Sequence, residues 1–370
     1  MTLAVSAAAA IWLIWFGYPL VIAGLAALRR PSRPAPLALP SVTVVIATRD
    51  DPTLVRRRVA DALAANYPAE RLSVVVGLDA GGSRTGPADL ADFGDRVQAE
   101  AGDAPGGKAA TLNAAVRAAT GEVLVFTDAG QTFDPLAVRR LVDALAAPRV
   151  GAASGRLEIP PGKDGPTLSE RYWRYERWIR RSEARVHSTV GVTGAIYAMP
   201  RELWSPLPAG LILDDLFVPM RLVLAGRRIA FVDEARATDT RRFDAQQEFR
   251  RKARTLTGVI QLCAWLPGVL VPVRNPVWLQ FVFHKLLRLL TPYLLILGAV
   301  GVAWAAATTL PAALLGAVVG GGVLLVALLL ATPRLGRRLR AAAVQGAALQ
   351  GATIVAAFNG LRGRWDVWQR

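Results

Sequence analysis

Three clusters in the sequence carry side chains able to handle a phosphorylated substrate. The first is Gly106-Gly107-Lys108, with Leu112 and Asn113 behind it and Thr127-Asp128 closing a later apolar run. Gly102 to Lys108 fits G-x-x-x-x-G-K, and VLVFTD reads like the strand that ends in the metal-binding Asp of P-loop enzymes. A P-loop, however, needs a hydroxyl after its Lys to hold magnesium, and Ala109 stands there. The segment before it, Arg96 to Ala101, is also a poor core strand. The second cluster is Leu213-Asp214-Asp215, followed by Arg221 and the Gly226-Arg227-Arg228 turn. Adjacent carboxylates do not face each other on a helix or strand, so at most one points into a shared crevice. Asp215 ahead of Leu216 to Ala225 suits a helix N-cap, and a carboxylate placed there could also take a proton from an attacking hydroxyl. The third cluster, Arg250-Arg251-Lys252 with Arg254, is either a basic helix face on lipid headgroups or a guanidinium grip on pyrophosphate.

These clusters need a scaffold, and the runs between them describe one. Ser41 to Thr48 is a β-branched strand and Leu54 to Ala65 a helix. Leu72 to Leu78 is a second strand ending at Asp79, Ala109 to Ala119 a second helix, and Glu122 to Thr127 a third strand ending at Asp128. Strand–helix alternation predicts a parallel sheet covered on both faces, with ligands beyond the carboxyl ends of its strands. Thr48, Asp79 and Asp128 all fall at such ends.

Part of the chain is not in water. Of its 370 residues 53% are hydrophobic. Thr2 to Leu28 and Leu289 to Pro333 contain no charge; the first is long enough to span and the second, broken at Thr308, Thr309 and Pro311, suits two spans. Arg29, Arg30 and Arg33 follow the first run, where a signal peptide would carry its basic residues before it, so an uncleaved anchor with the rest of the chain cytosolic is expected. The expected layout is an anchor over 1–30, a Pro-rich linker over 31–40, a cytosolic domain over 41–260, an interfacial segment over 261–288, a transmembrane hairpin over 289–333, and a basic interfacial helix and tail over 334–370. Within that last part, Ala341 to Leu361 carries Gln345, Gln350 and Asn359, and spanning would leave Arg362, Arg364 and Arg370 outside.

The net charge of +16 fits anionic lipid, with Arg334, Arg337, Arg338 and Arg340 directly after an apolar run; no nucleic-acid motif accompanies these clusters. The single Cys263 excludes an intramolecular disulfide and reads as packing. His187 and His284 have no ligand-spaced companions, and no repeat of about 20–50 residues marks a solenoid. Tyr172, Trp173, Tyr175 and Trp178 share helical spacing, open to packing or to sugar stacking.

Taken in order, these positions resemble the inverting family 2 glycosyltransferases of GT-A fold, especially the membrane-embedded branch with the cellulose, hyaluronan and poly-N-acetylglucosamine synthases. The resemblance covers Ser41 to Gly258 and, more loosely, Phe283 to Arg288. It implies an α/β fold with a mostly parallel central sheet, flanked by N- and C-terminal transmembrane helices. VVIATRDD resembles the family's first strand and nucleotide loop, implying donor contacts from Ala47, Thr48 and Asp50. LDAGGSRT is similar to its second-strand motif, implying Asp79 at the base, and GGKAATLN to its Lys-x-x-x-Leu-Asn segment, implying Lys108 on the donor. FTDAGQ occupies the place of D-x-D, which holds a divalent cation, Mg or Mn, on the donor phosphates. Asp128 is kept as the metal and donor residue, but Gly130 replaces the second Asp, leaving Gln131 and Asp134 as neighbours that would have to compensate. GVTGAIYAMPREL resembles the acceptor segment with Gly194. LDD resembles Thr-Glu-Asp, implying Asp214 beside the acceptor and Asp215 as general base. The Arg-rich cluster takes the place of Q-x-x-R-W, implying donor contacts from Arg251 and Arg254, with Thr255 in place of the Trp.

The resemblance implies transfer of a sugar from a nucleotide donor to a lipid, lipid-linked glycan or exopolysaccharide, at the cytosolic face of a multi-pass protein of the cytoplasmic membrane. The family's habit points to a UDP-sugar, with GDP-sugars open. Two alternatives remain: a processive synthase that exports its polymer, and a non-catalytic nucleotide-sugar-binding subunit. Thr255 and the small membrane part weigh against the first; Gly130, Arg251 and Thr255 motivate the second. The oligomeric state is not legible.

Overall fold

The computed structural model describes residues 1–29, 39–160, 168–241 and 245–365. Most of the expected 31–40 linker lies outside them. The N-terminal apolar run forms α1 (Thr2–Trp12), a short π-helical stretch over Leu13–Gly17 and α2 (Tyr18–Ala27), together one helix long and apolar enough to cross a membrane.

The sheet begins with β1 (Val42–Thr48), whose alternate residues Val44 and Ile46 are fully buried. Pro52 opens α3 (Pro52–Leu63), and the Asp51 carboxylate caps it by accepting from the Leu54 N–H at 3.1 Å. After β2 (Leu72–Leu78) and β3 (Val97–Ala101) come α4 (Lys108–Ala118), β4 (Val123–Thr127), β5 (Gln131–Phe133) and α5 (Ala137–Leu145). Val55 and Val59 of α3 and Val138 and Leu141 of α5 pack with Val44, Ile46, Val74, Val76 and Val125 in one cluster. Each such side chain contributes about 1.5 kcal/mol or more by leaving water.

The chain then runs through β6 (Val150–Glu158), α6 (Leu168–Val186), β7 (Tyr197–Pro200), α7 (Asp214–Leu224) and β8 (Arg228–Asp239), giving the strand order β3-β2-β1-β4-β7-β6-β8-β5. From β3 to β4 every pairing is parallel, but β7 runs antiparallel to both β4 and β6, and β5 antiparallel to β8. The sheet is therefore mixed, with the β6–β8 pairing also parallel, and its parallel pairings outnumber the antiparallel ones as the expected α/β fold requires. Helices still separate β6, β7 and β8, but β7 enters the sheet in the opposite direction. Strand β3, which looked too polar for a core, is an edge strand with one covered neighbour, and its composition suits that place.

Beyond the sheet lie α8 (Ala245–Trp265), the short α9 (Trp278–Phe281), α10 (Thr291–Thr309), α11 (Ala312–Ala331) and α12 (Pro333–Leu361). The break between α10 and α11 falls at the expected Thr-Pro interruption. Trp278–Thr309 and Ala312–Ala331 are each long and apolar enough to span, the first starting well before the charge-free stretch; α12 is not in this set. Burial pushes the Cys263 thiol on α8 up to about 11, which keeps it protonated and inert at neutral pH.

The chain divides into two compact units. One comprises Ile22–Arg242, Gly258–Phe281 and Arg364–Arg370 and contains the sheet. The other comprises Met1–Val21, Phe243–Thr257 and Val282–Gly363. Inside the second, α1 packs on α10 closely enough that a Cβ on Gly301 would lie 2.9 Å from the Ala4 backbone nitrogen. Trp15 Nε1 donates to Thr291 Oγ1 at 3.1 Å, while the Arg288 guanidinium lies 4.6 Å over the Trp15 ring.

Candidate active site

The carboxyl ends of β1, β2 and β4 bring Thr48, Asp79 and Asp128 to one edge of the sheet, as expected for a parallel half-sheet. Thr48 Oγ1 accepts from the Asp50 N–H at 2.9 Å and donates to its carboxylate at 3.2 Å, which folds the loop back on the strand end. Asp79 is the knot of the next two loops. Its carboxylate accepts from Arg49 Nε at 2.6 Å, Gly81 N at 2.8 Å and Gly107 N at 2.9 Å. Burial acts to raise its pKa, but the bonds from Arg49, Gly107 and Gly81 outweigh burial and hold the carboxyl below its usual range. Gly106 has φ +95°, and a Cβ there would sit 2.4 Å from the Gly81 nitrogen, so only glycine lets the two loops meet. The Gly107 N–H, which a P-loop would point at phosphate, is taken by Asp79. That removes the P-loop reading on geometry as well as on Ala109.

A second group lies around Lys108, the first residue of α4. Its Nζ is 3.3 Å from an Asp128 oxygen and 3.2 Å from an Asp214 oxygen. Burial would lower its pKa, but Asp128, Asp214 and Asp215 together raise it, so Lys108 stays charged. Helix α7 begins at Asp214 with Leu213 as N-cap, so both carboxylates occupy the first turn and favour the helix dipole. They diverge as their adjacency requires. Asp214 turns to Lys108, whereas Asp215 lies against Gly194, where a Cβ would come within 3.3 Å of the Asp215 carboxylate. Gly194 and Asp215, linked beforehand only by resemblance, are thus neighbours, and the Asp215 carbonyl also accepts from Val192 N at 2.9 Å.

Tyr197 gave no sign of itself in the sequence. Its ring stacks on Phe126 at 4.6 Å, and Phe126 stacks in turn on Trp204 at 5.2 Å. Its buried hydroxyl has no hydrogen-bond partner among the described residues. Burial, then Asp214, Asp215 and Asp128, push the phenol well above its ordinary value, so it stays neutral beside three carboxylates. Arg58 was missed too. It is 1% exposed, donates to Thr127 Oγ1 at 3.3 Å, pairs with Asp61 and lies 4.0 Å over the Phe133 ring, bracing the Asp128 turn from below. Burial lowers its pKa to about 10, partly offset by Asp61.

The residues at the D-x-D position do not fit a two-carboxylate cation site. A Cβ on Gly130 would lie 2.3 Å from the guanidinium carbon of Arg241. Gln131 donates to Asp239 at 2.9 Å, and Asp134 accepts from Arg140 at 3.0 Å, so neither takes the place of the missing carboxylate. Among the described residues no group of three or more His, Cys, Asp or Glu side chains gathers as a metal site. Asp128 can supply a single ligand, which for magnesium is enough when phosphate oxygens and water supply the rest.

Ala47 lies within β1 beside these loops, opposite Gly77. Arg251 and Arg254 are on the first half of α8 and belong to the other compact unit. The aromatic row on α6 divides: Trp173 lines a cavity of about 500 Å³ with Glu158, Glu170, Arg174 and Arg177, whereas Tyr172 and Trp178 are exposed.

No curated protein matches the chain in sequence. Among solved structures, the mannosyltransferase PcManGT from Pyrobaculum calidifontis, in complex with GDP-Man and Mn2+, is similar with a TM-score of 0.71 and 23% identity, over 98% of this chain and 99% of that one. GalNAc-T7 with UDP, GalNAc and Mn2+ is similar with a TM-score of 0.43 and 15% identity, over 56% of this chain and 44% of that one, too distant to carry an argument. The first likeness shows a common fold over nearly the whole chain. The family described as glycosyltransferase like family 2 matches residues 40–258, the segment that contains the whole sheet and the Lys108–Asp128–Asp214–Asp215 group; the chain belongs to that family and is a glycosyltransferase.

Proposed function

We propose that the protein is an inverting transferase that moves a sugar from a nucleoside diphosphate donor to an acceptor held at a membrane, with its sheet-bearing unit on the cytosolic side. The observation that carries this reading is Asp215 seated against Gly194 while Asp214 and Asp128 flank Lys108 at the same carboxyl edge. In a single displacement, the Asp215 carboxylate takes the proton of an acceptor hydroxyl as that oxygen attacks the anomeric carbon. The bond from that carbon to the donor phosphate breaks, and its electron pair leaves with the nucleoside diphosphate. Lys108, kept cationic by its three carboxylate neighbours, stabilises the developing charge. The loops knotted by Asp79 and the Thr48–Asp50 turn shape the nucleotide side.

Three apolar helices and the Arg-rich stretch after the first of them support a bilayer location with this orientation. The donor base is the finer question. Family habit supports a UDP-sugar, while the whole-length likeness to a protein solved with GDP-Man supports GDP-mannose as an equal candidate. Nucleotide release by the detergent-solubilised full chain, measured over UDP- and GDP-sugars with a membrane lipid extract as acceptor, tests the reading. We expect turnover with one donor and its loss in Asp215→Asn. Full activity in Asp215→Asn would overturn the assigned base. Donor binding without turnover on any acceptor would support a binding subunit, and long polymer products would support a processive synthase.

A further inference from the structure

Gly130 and Arg241 are far apart in sequence and share one place in the fold. The guanidinium of Arg241 fills the space a Gly130 side chain would take, with Cζ, Nε and Nη1 at 2.3, 2.4 and 2.6 Å from where a Cβ would be. Any side chain at position 130, a carboxylate included, would have to displace it. The pairing is built in. Strand β5 begins at Gln131, directly opposite Asp239 at the end of β8, so the ladder brings Gly130 beside Arg241.

The arginine is also held firmly. Asp239 accepts from Arg241 Nε at 3.0 Å and from Nη2 at 2.8 Å, a two-toothed pair, and from the Arg241 backbone N–H at 2.9 Å. Gln131 Nε2 holds the same carboxylate at 2.9 Å. Within the pair the carboxylate is the inner member and the guanidinium the outer one, at 7% and 35% side-chain exposure. The positive end is therefore the more exposed member of the pair. Bonding to Asp239 raises the Arg241 pKa, as do the charges of Asp128 and Asp50, the residues of the two loops at the donor edge. A two-carboxylate motif presents two negative charges and needs a divalent cation before a diphosphate can approach. Here one of those charges is absent and a cation stands over its place.

We propose that Arg241 binds the donor's diphosphate as a fixed protein cation, so that nucleotide diphosphate binding does not depend on a divalent metal. This rests on the donor-site reading above. A planar guanidinium offers phosphate oxygens directed N–H donors that an ammonium lacks, and Asp239 orients it before any ligand arrives.

The test is titration calorimetry of GDP and of UDP against the solubilised full chain, in EDTA and in Mn2+. The wild type should bind one of the two in EDTA within about threefold of its affinity in Mn2+, and Arg241→Ala should weaken the EDTA value about tenfold or more, the scale of a charge-assisted hydrogen bond, while leaving Mn2+-supported binding less affected. Because Arg241→Ala leaves Asp239 buried and unpaired, Gly130→Ala serves as the second variant. Its methyl group shifts the guanidinium while keeping a cation beside Asp239, and it should weaken EDTA binding in the same direction with a smaller loss of melting temperature than Arg241→Ala. Wild-type binding that vanishes in EDTA, or variants that match the wild type there, would overturn the proposal and leave the donor site standing. Absence of nucleotide binding in both conditions would remove the donor site and this proposal with it.

Discussion

Two places along the carboxyl edge of the sheet handle their carboxylates in opposite ways. Asp79 is fully engaged: one carboxylate, three donors, two loops tied together and a lowered pKa. Around Lys108 the balance is reversed, with Asp128, Asp214 and Asp215 sharing the field of one ammonium and a neutral Tyr197 beneath them. The first arrangement gains order, since each charge-assisted bond to a buried carboxylate contributes about 1.5–3 kcal/mol. The second gathers three carboxylates around one ammonium, an arrangement suited to accepting a proton. On the proposed mechanism the same residue type serves as scaffold at the end of β2 and as reagent in the first turn of α7.

If that contrast is right, damage at the two places should read out differently. The largest effect belongs to Asp215→Asn: a fall in kcat of about a thousandfold, typical of a lost general base, with nucleotide affinity unchanged in calorimetry. Next comes Arg58→Met, which removes a buried cation from Asp61 and Thr127 beneath the Asp128 turn. It should cost about 3 kcal/mol of stability in chemical denaturation, with activity lost through unfolding and not through a changed donor affinity. Lys108→Met should lower kcat/KM about a hundredfold, since a preorganised charge at the leaving group goes while the three carboxylates remain. A rescue by Lys108→Arg would show that charge alone is needed.

The smallest effect lies at Asp79. Because its folded pKa is depressed, the stability it contributes is present above the unfolded value of about 4 and disappears as pH falls through the folded value. Asp79→Asn should therefore be less stable than wild type by about 1 kcal/mol at pH 7, and the gap in melting temperature should close in acid below about pH 4. A gap that persists unchanged in acid would mean that the loop knot does not rest on the Asp79 charge.

The parallel half of the sheet was legible because it is built from continuous apolar runs closed by chemically marked residues. Val44, Ile46, Val74, Val76 and Val125 declare their burial, and Thr48, Asp79 and Asp128 declare the strand ends. The mixed half was not, because β7 is four residues long and β6 ends in Gly-Arg-Leu-Glu, so neither has a clear period. Within the site, sequence order pointed to Lys108, Asp128 and Asp215 but not to what joins them. The Lys108–Asp214 pair joins residues far apart in the chain, and Arg241 meets Gly130 through a β5–β8 ladder that no local pattern announces. Tyr197 and Arg58 were invisible for a related reason: an aromatic in a strand reads as packing, and an arginine in an amphipathic helix reads as surface.

Single displacement driven from Asp215 is tested most directly by the stereochemistry of the product. With an α-linked nucleotide sugar as donor, the one-bond C1–H1 coupling of the first-formed glycoside should report a β linkage. An α-linked product would mean two displacements or a different attacking face, and would contradict the role given to Asp215.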